Sequence, residues 1–362
     1  MAINYAEKYS DRVAERFKTG SVTNAAVNQD YSFLGARTVR VYTIGTVPLN
    51  NYSPTGSNRY GTPVELPDMI QEMVLSQDKG FAMTIDKGSN VDQMLTKNAG
   101  KALRRQIDEV VIPYVDTYRL LKMCSQAGHI APMAEPSDST IVGAVMSAGE
   151  KLDDAYVPRT DRTLFIGTKY YTMLKSSGEF LGLEKLGEKA LAKGIVGEID
   201  GAKVVPVATS RMPSGCFFIL THRDATTSPI KLDEYKVHEN PPGISGALVE
   251  GRLYFDAYVL NAKKEGVYAA VLTGSAAAAP TANPASGSAV IPGTTAVTLA
   301  SATSGAAVYY TKDGSDPRFS DTRAAYSAPL ATTGWVDGTV LKAYAVHDGL
   351  HDSEILEATY EV

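Results

Sequence analysis

The sequence has few of the residues that bind metals, form disulfides or stack on ligands. Its 362 residues include two cysteines, five histidines and one tryptophan. Cys124 and Cys216 do not form a Cys-x-x-Cys spacing, and each borders an apolar segment. Such thiols are typically buried, as in proteins of a reducing compartment. We therefore expect neither thiol to be catalytic or to bind a metal.

Long hydrophobic runs are absent as well. No stretch approaches the roughly 18 apolar residues that cross a membrane. The first residues, MAINYAEKYSDRVAERF, lack the apolar centre of a signal peptide. The formal net charge of −5 is too small to indicate nucleic-acid binding by the whole chain. We therefore expect no membrane partner, and the length indicates two or more globular units.

The motifs of common enzyme classes are also missing. The chain has no Gly-x-Ser-x-Gly, no P-loop, no Gly-x-Gly-x-x-Gly before a helix and no His-Glu-x-x-His. Carboxylates at 151–154 and 231–239 lie in polar segments, which is typical of a solvated surface. His347 and His351 have the spacing closest to a metal pair, but the Asp-Gly between them predicts a turn. We therefore expect no enzyme activity, no catalytic residue, no cofactor and no metal.

A change of composition near Gly274 marks the clearest domain boundary. No residue from 274 to 311 is charged, and the stretch GSAAAAPTANPASG predicts a flexible linker at 274–287. Beyond it, AVTLAS, AVYYTKDG and TVLKAYAVHDG alternate apolar and polar residues, as half-buried strands do. Residues 288–362 are therefore expected to form an all-β sandwich.

A long hairpin is predicted in the first quarter of the chain. TVRVYTI and MIQEMVLSQDKGFAMTID have strand character and flank a tip at 54–68 that is rich in Pro, Gly, Ser and Asn. Both arms carry polar residues on both faces, so a single subunit offers them little to pack against. Because exposed strand edges need a cover, we expect the hairpin to lie on a neighbouring subunit.

A long helix is predicted from Asn90, its N-cap, to Cys124. Apolar residues recur there at helical spacing: Val91, Met94, Leu95, Leu103, Ile107, Val110, Val111, Tyr114, Tyr118 and Leu121. Other faces carry the charged residues Arg104, Arg105, Asp108 and Glu109. Pro113 is expected to bend the helix or remove one hydrogen bond. We interpret this element as a structural spine.

The rest of the first 273 residues mixes helices and strands. Helices are expected at STIVGAVMSAGEKLDDA, TKYYTMLKSS and LEKLGEKALAKG, the last ended by Gly194. Strands are expected at RTLFIG and SGCFFILTHR, and IVGEIDGAKVVPV predicts a hairpin that turns at Asp200-Gly201. These segments indicate the α+β fold class.

The order of these segments resembles that of the major capsid proteins of tailed bacteriophages, which have the Hong Kong-type shell fold. DYSFLGARTVRVYTI resembles the end of the N-terminal arm and the first strand, and ALRRQIDEVVIPYVDTYRL resembles the spine helix. The resemblance covers residues 1–272. It implies an N-terminal arm at 1–36, a first strand and extended-loop hairpin at 37–88, a peripheral-domain spine helix at 89–134, an axial domain at 135–246 and peripheral closing strands at 247–273.

The resemblance also implies a function. Subunits of this family assemble as pentamers and hexamers into an icosahedral shell around double-stranded DNA. The expected location is the virion, after assembly in the host bacterial cytoplasm. Expected partners are other copies of the chain, a separate scaffolding protein, a portal and weakly contacted DNA. The extended loop is expected to touch a neighbouring subunit through Asn50, Tyr52, Arg59, Tyr60 and Glu65.

The C-terminal segment resembles a different family. YYTKDGSDP, AAYSAPL, VLKAYAV and DSEILEATYEV resemble the immunoglobulin-like module at the C-terminus of chitobiase-type enzymes. On a shell protein this implies a decoration domain on the exterior, with weak glycan contacts through Tyr310, Tyr326 and Trp335. Strand alternation gives the other interpretation, in which these rings fill the sandwich core. Asp313 and Asp316 fit either a Ca²⁺ site or the caps of a turn.

Two other functions remain open from the sequence. An encapsulin-type nanocompartment uses the same shell fold and holds a protein cargo. A carbohydrate-active enzyme with a C-terminal binding module would also contain the C-terminal motifs, but it requires an acid/base pair that the sequence does not show.

Overall fold

A computed structural model describes residues 20–31, 38–44, 46–47, 49–63, 65, 68–88, 98–177 and 197–362. The expected N-cap Asn90, the apolar residues Val91, Met94 and Leu95 and the short helix ended by Gly194 lie outside the described residues. Within them, no helix is both long enough and apolar enough to cross a membrane.

The helical elements are short. They are α1 (Ala99–Gln106), a π-helical turn (Ile107–Val111), α2 (Ile112–Ser125), α3 (Ile141–Asp154), α4 (Thr168–Ser176) and the 3₁₀ turns Asn24–Ala26, Arg223–Ala225 and Asn261–Gly266. The strands of the front part of the chain are β1 (Thr38–Ile44), β2 (Asp68–Val74), β3 (Gln77–Asp86), β4 (His129–Met133), β5 (Arg162–Gly167), β6 (Glu198–Ile199), β7 (Ala202–Val207), β8 (Cys216–His222), β9 (Thr226–Thr227), β10 (Ile230–Glu239), β11 (Gly246–Phe255), β12 (Tyr258–Val259) and β13 (Val267–Leu272). The C-terminal strands are β14 (Thr281–Asn283), β15 (Ala296–Ala300), β16 (Ala307–Thr311), β17 (Ala324–Ala325), β18 (Leu330–Ala331), β19 (Thr339–Val346) and β20 (Leu356–Tyr360).

A six-stranded mixed sheet, in the order β4-β13-β8-β5-β7-β6, forms the centre of the front part. Two pairs, β4 with β13 and β5 with β7, are parallel, and the others are antiparallel. Alternate side chains face opposite sides of a strand. Phe165 and Ile219 accordingly pack with Leu120 of α2, whereas Leu164 and Phe218 pack with α3 and α4. The fold is thus α+β, with helices on both faces of this sheet.

The long helix is interrupted where the sequence predicted a bend. Asn98 caps α1, because its side-chain oxygen accepts the Lys101 N–H at 3.1 Å. The π-helical turn lies directly before Pro113, and there the Ile112 N–H bonds to the Ile107 carbonyl. Proline has no N–H and cannot donate a helical hydrogen bond. The wider π-helical turn accommodates this missing bond.

The expected apolar face of the long helix is only partly buried. Val110, Tyr114 and Leu121 are exposed in the single chain. The residues that α2 buries are instead Asp116, Arg119, Leu120, Met123 and Cys124. The buried face of the helix that regular spacing predicted was wrong. The π-helical turn adds a residue and rotates the positions that follow it relative to the preceding turns.

The hairpin is shorter than expected, and its second arm is split. β1 pairs with β2 in an antiparallel register from Thr38↔Val74 to Ile44↔Asp68. The stretch MIQEMVLSQDKGFAMTID then breaks at residues 75–76. Its second half, β3, pairs with β11 in the three-stranded sheet β10-β11-β3. The expectation that MIQEMVLSQDKGFAMTID forms one continuous hairpin arm is corrected accordingly.

Local turn signals are confirmed elsewhere. β6 and β7 form the predicted hairpin, and Asp200 and Gly201 at its turn both have positive φ, 46° and 74°. This pair of backbone conformations matches a tight two-residue turn.

The C-terminal part is a sandwich of a three-stranded sheet, β14-β15-β18, and a four-stranded sheet, β17-β16-β19-β20. Its core contains Val297 and Leu299 from the first sheet and Leu341, Ala343 and Tyr360 from the second. The all-β prediction for this segment is therefore confirmed, although the first strand begins at Thr281, inside the expected linker.

The flexible linker expected at 274–287 is not present as such. Ala276 packs in the core of the front part, and the next residue, Ala277, packs in the core of the sandwich. The Ala277 N–H also donates to the His351 carbonyl at 2.9 Å. The small uncharged residues predicted a flexible linker, but Ala276 and Ala277 are buried at the junction between the two parts.

Candidate interaction site

The tip of the hairpin keeps its shape through contacts among its own residues. The Ser53 N–H donates to the Arg59 carbonyl at 2.9 Å. The rings of Tyr52 and Tyr60 meet edge to face, with centroids 5.2 Å apart. All the residues expected to touch a neighbour are exposed on this segment, namely Asn50, Tyr52, Arg59, Tyr60 and Glu65.

Large apolar side chains on the hairpin face water in the single chain. Tyr60 is 82% exposed and Ile44 is 70% exposed. Other exposed apolar residues of the same segment are Tyr42, Val47, Leu49 and Tyr52. We call these six residues the hairpin patch. Exposed apolar residues concentrated in one segment are typical of a surface that a partner covers.

The base of the hairpin is fixed to the long helix by one buried carboxylate. Asp256 accepts hydrogen bonds from the Ser76 N–H and hydroxyl, both at 2.8 Å, and from the Tyr118 hydroxyl at 2.7 Å. Burial, with a further effect of Asp256, raises the pKa of Tyr118 above its usual value. On the other side of the hairpin base, Gln71 donates to the Val259 carbonyl at 2.9 Å.

Two charged residues of the long helix form an ion pair within the helix. Arg105 Nε lies 3.1 Å from Glu109 Oε1, one turn along the helix. Arg104 is exposed, and Asp108 is half-buried with an interaction of its own. An exposed pair at this spacing contributes only about 0.3–0.5 kcal/mol. These four residues therefore form a polar helix surface, and their arrangement does not form a site for chemistry.

An apolar cleft of about 260 Å³ lies between this helix and the three-stranded sheet. Val110 and Tyr114 line it from the helix side, and Phe81, Tyr235 and Leu253 line it from the sheet. The cleft accounts for part of the apolar helix surface that the single chain leaves uncovered.

A second buried carboxylate, which sequence reasoning missed, holds residues 20–31. Asp116 accepts from the hydroxyls of Ser21 and Thr23 at 2.7 and 2.6 Å, and Arg211 Nη1 lies 3.3 Å away. Arg119, also buried, donates to Ser228 at 2.9 Å. Burial lowers the pKa of Arg119, and the charge of Asp116 opposes that shift. This end of the expected N-terminal arm therefore packs on its own chain.

In the segment 151–154, the carboxylate of Asp153 pairs with two arginines. Arg162 Nη2 donates to Asp153 Oδ1 at 2.7 Å, and Arg159 pairs with the other oxygen. The hydrogen bond from Arg162 is the main reason why the pKa of Asp153 lies below its usual value. A carboxylate held in this way by two guanidinium groups is poorly suited to accept or donate a proton near neutral pH.

The C-terminal sandwich contacts the front part through a buried ion cluster. Asp316, 3% exposed, pairs with Lys264 of the front part and, at 3.0 Å, with Arg318 of its own turn. Arg318 also donates to the Ala127 carbonyl. By contrast, Asp313 bonds within its own turn, accepting from the Ser315 N–H at 3.0 Å and from Thr322 at 2.7 Å. The two carboxylates thus act in docking and in turn capping.

A thiol and an imidazole form a second contact across the same junction. Cys124 Sγ lies 3.7 Å from His351 Nδ1, and His351 Nε2 lies 2.6 Å from the Ser214 carbonyl oxygen. Hydrogen bonds from Cys216 and His351 lower the pKa of the Cys124 thiol to about 6. The hydrogen bond with Cys124 raises the pKa of His351. His347 is not part of this contact.

The expected glycan-contact residues do not form a stacking surface. Trp335 is 8% exposed, and its ring packs in the sandwich core 5.3 Å from the ring of Tyr360. Tyr310 and Tyr326 pack against the same core and are half-buried. The expectation of a sugar-binding Trp335 is corrected, because the turn between β18 and β19 places this ring in the sandwich core.

Solved structures with a similar fold include several from bacteriophages. One from Mycobacterium phage Che8 has a TM-score of 0.62 and 16% identity, with 74% of this chain and 96% of that chain covered. The capsid structure of the cyanophage P-SCSP1u has a TM-score of 0.61 and 12% identity, covering 74% and 93%. The asymmetric unit of the bacteriophage PhiM1 mature capsid has a TM-score of 0.59 and 13% identity, covering 74% and 92%.

The sequence comparisons concern the C-terminal part. Residues 284–357 match the family model of the chitobiase/beta-hexosaminidase C-terminal domain. A search of curated protein sequences found no match. Over 74% of its length the chain therefore has the fold of phage capsid structures, and it carries a C-terminal domain of the chitobiase/beta-hexosaminidase type.

Proposed function

We propose that this chain is the major capsid protein of a tailed double-stranded DNA bacteriophage. Copies would assemble as pentamers and hexamers into an icosahedral shell that encloses the genome. The likeness to phage capsid structures supports this proposal. The observation that carries it is the hairpin patch, a run of apolar side chains that the single chain leaves in water.

In the proposed assembly, the hairpin tip of one subunit lies on its neighbour. Tyr52, Tyr60 and Leu49 would then lose water contact, and burial of apolar area stabilises association by about 25 cal/mol per Å². Asn50, Arg59 and Glu65 would make polar contacts at the rim. Each contact contributes little stability by itself, but in a closed shell many such contacts stabilise the assembly together.

The proposed partners follow from the same assembly. A separate scaffolding protein and a portal would act with the subunits in the host bacterial cytoplasm, and the product would be the virion. The net charge of −5 suits a shell that holds its DNA weakly and without sequence preference. The chain would act as a structural protein and not as an enzyme.

The C-terminal sandwich would lie on the outside of the shell. Its fixed attachment through Ala276 and Ala277 supports a domain held in one orientation, in place of a mobile module. Glycan binding is not part of the proposal, since Trp335 packs in the core and Tyr310 and Tyr326 are half-buried.

Electron microscopy of the full-length protein, co-expressed with its neighbouring genes, tests the proposal. Closed shells with knobs on the outside and DNA inside are the expected result. Closed shells that hold a protein cargo and no DNA would favour an encapsulin-type nanocompartment. Small soluble particles in the presence of a scaffold would contradict the shell function, and hydrolysis of chito-oligosaccharide would then indicate a carbohydrate-active enzyme.

A further inference from the structure

We infer that the C-terminal sandwich is an intramolecular clamp that holds the end of the long helix, and that Asp316 is the ion that keeps the clamp closed. The inference begins with the buried cluster of Asp316, Lys264 and Arg318. Their side chains are 2%, 15% and 4% exposed, so all three charges are largely removed from water. A buried carboxylate is tolerated when cations and hydrogen bonds surround it.

The cluster connects three separate pieces of chain. Lys264 belongs to the 3₁₀ turn that leads into β13, and its carbonyl accepts the Gly128 N–H at 3.0 Å. Arg318 donates to the carbonyl of Ala127, which follows directly after the long helix. Asp316 therefore joins the sandwich to the helix end and to the start of a central strand at once.

A second contact holds the same end of the long helix. His351 reaches Cys124, in the last turn of α2, and the Ser214 carbonyl, in the loop before β8. The backbone of His351 is also held, because its N–H donates to the Ser275 carbonyl at 2.8 Å. Residues 124–127 are thus held by two loops of the sandwich, one through the Asp316 cluster and one through His351.

The balance of charge makes the ionic contact sensitive to the loss of one member. Burial lowers the pKa of Lys264, and Asp316 opposes that shift. Burial acts to raise the pKa of Asp316, yet Arg318 and Lys264 hold it below its usual value. Without the carboxylate, two cations would be left together in a nearly dry site, which is strongly unfavourable. The sandwich would then separate from the front part.

The clamp explains the uncharged stretch after Gly274. A flexible linker needs no buried residue. Here Ala276 is buried in the core of the front part and Ala277 in the core of the sandwich. In the turn Asp-Gly-Ser-Asp-Pro-Arg at 313–318, Asp313 bonds to Ser315 and Thr322 of the sandwich. Asp316 accepts the Arg318 N–H at 2.9 Å and also pairs with Lys264 of the front part.

Two variants of the full-length, unassembled chain test the clamp. Asp316→Asn removes the shared negative charge, and Asp313→Asn is the matched control in the same turn. Elastase cleaves after small apolar residues. Cleavage at the four alanines of 276–279 therefore reports that this segment has become accessible. We expect Asp316→Asn to speed cleavage there by roughly tenfold or more. We also expect calorimetry to show two unfolding transitions in place of one, with the control matching the wild type.

Equal cleavage of the wild type and Asp316→Asn, with one unchanged transition, would overturn the clamp. Equal acceleration by Asp313→Asn would overturn it as well, because the effect would then arise from folding of the turn. If Asp316→Asn fails to fold, Lys264→Met removes a cation from the front part, and failure to accelerate cleavage would count against the clamp. Because no shell is needed, these outcomes do not depend on whether the subunits assemble.

Discussion

The Tyr118 hydroxyl donates to Asp256 at 2.7 Å, and this bond joins the middle of the long helix to the strand that supports the hairpin. Asp256 lies one residue after β11, whereas Tyr118 lies in α2. This buried carboxylate, which also accepts from both donors of Ser76, therefore helps to fix the orientation of the hairpin relative to the helix.

Asp256→Ala is expected to reduce the free energy of unfolding by about 3 kcal/mol or more, since several hydrogen bonds to one charged group are lost together. Tyr118→Phe removes a single bond and should cost about 1–2 kcal/mol. Urea unfolding followed by circular dichroism measures both. Asp138→Ala, at an exposed carboxylate, is the control. A cost for Asp256→Ala no larger than that of the control would contradict the described role.

Substitutions in the hairpin patch should affect assembly without affecting the fold. Leu49→Asp and Tyr60→Glu place charges on side chains that are already in water, so the melting temperature of the subunit should stay within a degree or two of wild type. Shell formation, measured by sedimentation and electron microscopy, should be lost. Ile291→Asp is the matched control, because Ile291 is an exposed apolar residue on the sandwich. Normal shells from Tyr60→Glu would show that the patch is not a subunit contact.

Trp335 should report the sandwich core and not a ligand. As the only tryptophan, it should give blue-shifted fluorescence that acrylamide quenches weakly, with no change on titration with chito-oligosaccharide. Trp335→Ala should lower the stability of the sandwich by about 3–5 kcal/mol through the cavity it leaves. Val336→Ala, at the exposed next residue, should cost little. A sugar-dependent change in the tryptophan fluorescence would restore the glycan interpretation.

Asp352 should make stability depend on pH. Burial raises its pKa above the usual 3.8, with Arg318 and His351 opposing the shift. The pKa of Asp352 is therefore higher in the folded state than in the unfolded state. Its contribution to stability is most favourable below the unfolded pKa and is lost as the pH rises through the folded pKa. Asp352→Asn should therefore be more stable than wild type at pH 7, and the difference should vanish toward pH 3.5. Asp348→Asn, at an exposed residue of the same turn, is the control in urea unfolding across that range.

Features set by near neighbours in the chain were predictable. The turn at Asp200-Gly201 requires two positive φ angles, and the residues that tolerate them stand in the sequence. Pro113 likewise predicted where the long helix is interrupted. The alternation in AVTLAS and TVLKAYAV predicted strands of the sandwich.

Features set by distant residues were not predictable. β3 looks like the continuation of a hairpin arm, but its partner β11 lies about 170 residues away and local pattern does not identify it. Asp116, Asp256 and Asp316 stand among ordinary polar residues, and only the fold shows that each is buried among several donors. The position of the hairpin tip was predicted by its composition, since turns are rich in Pro, Gly and Asn.

The attachment of the sandwich has a consequence for stoichiometry. A domain encoded on the same chain as the surface it docks on has a local concentration fixed by a few residues of connection, and dilution cannot remove it. Its occupancy does not depend on expression level, on diffusion or on the order in which components arrive. Each copy of the chain brings one sandwich, already in place at 276–277, so a surface built from many copies would be evenly covered from the moment it forms.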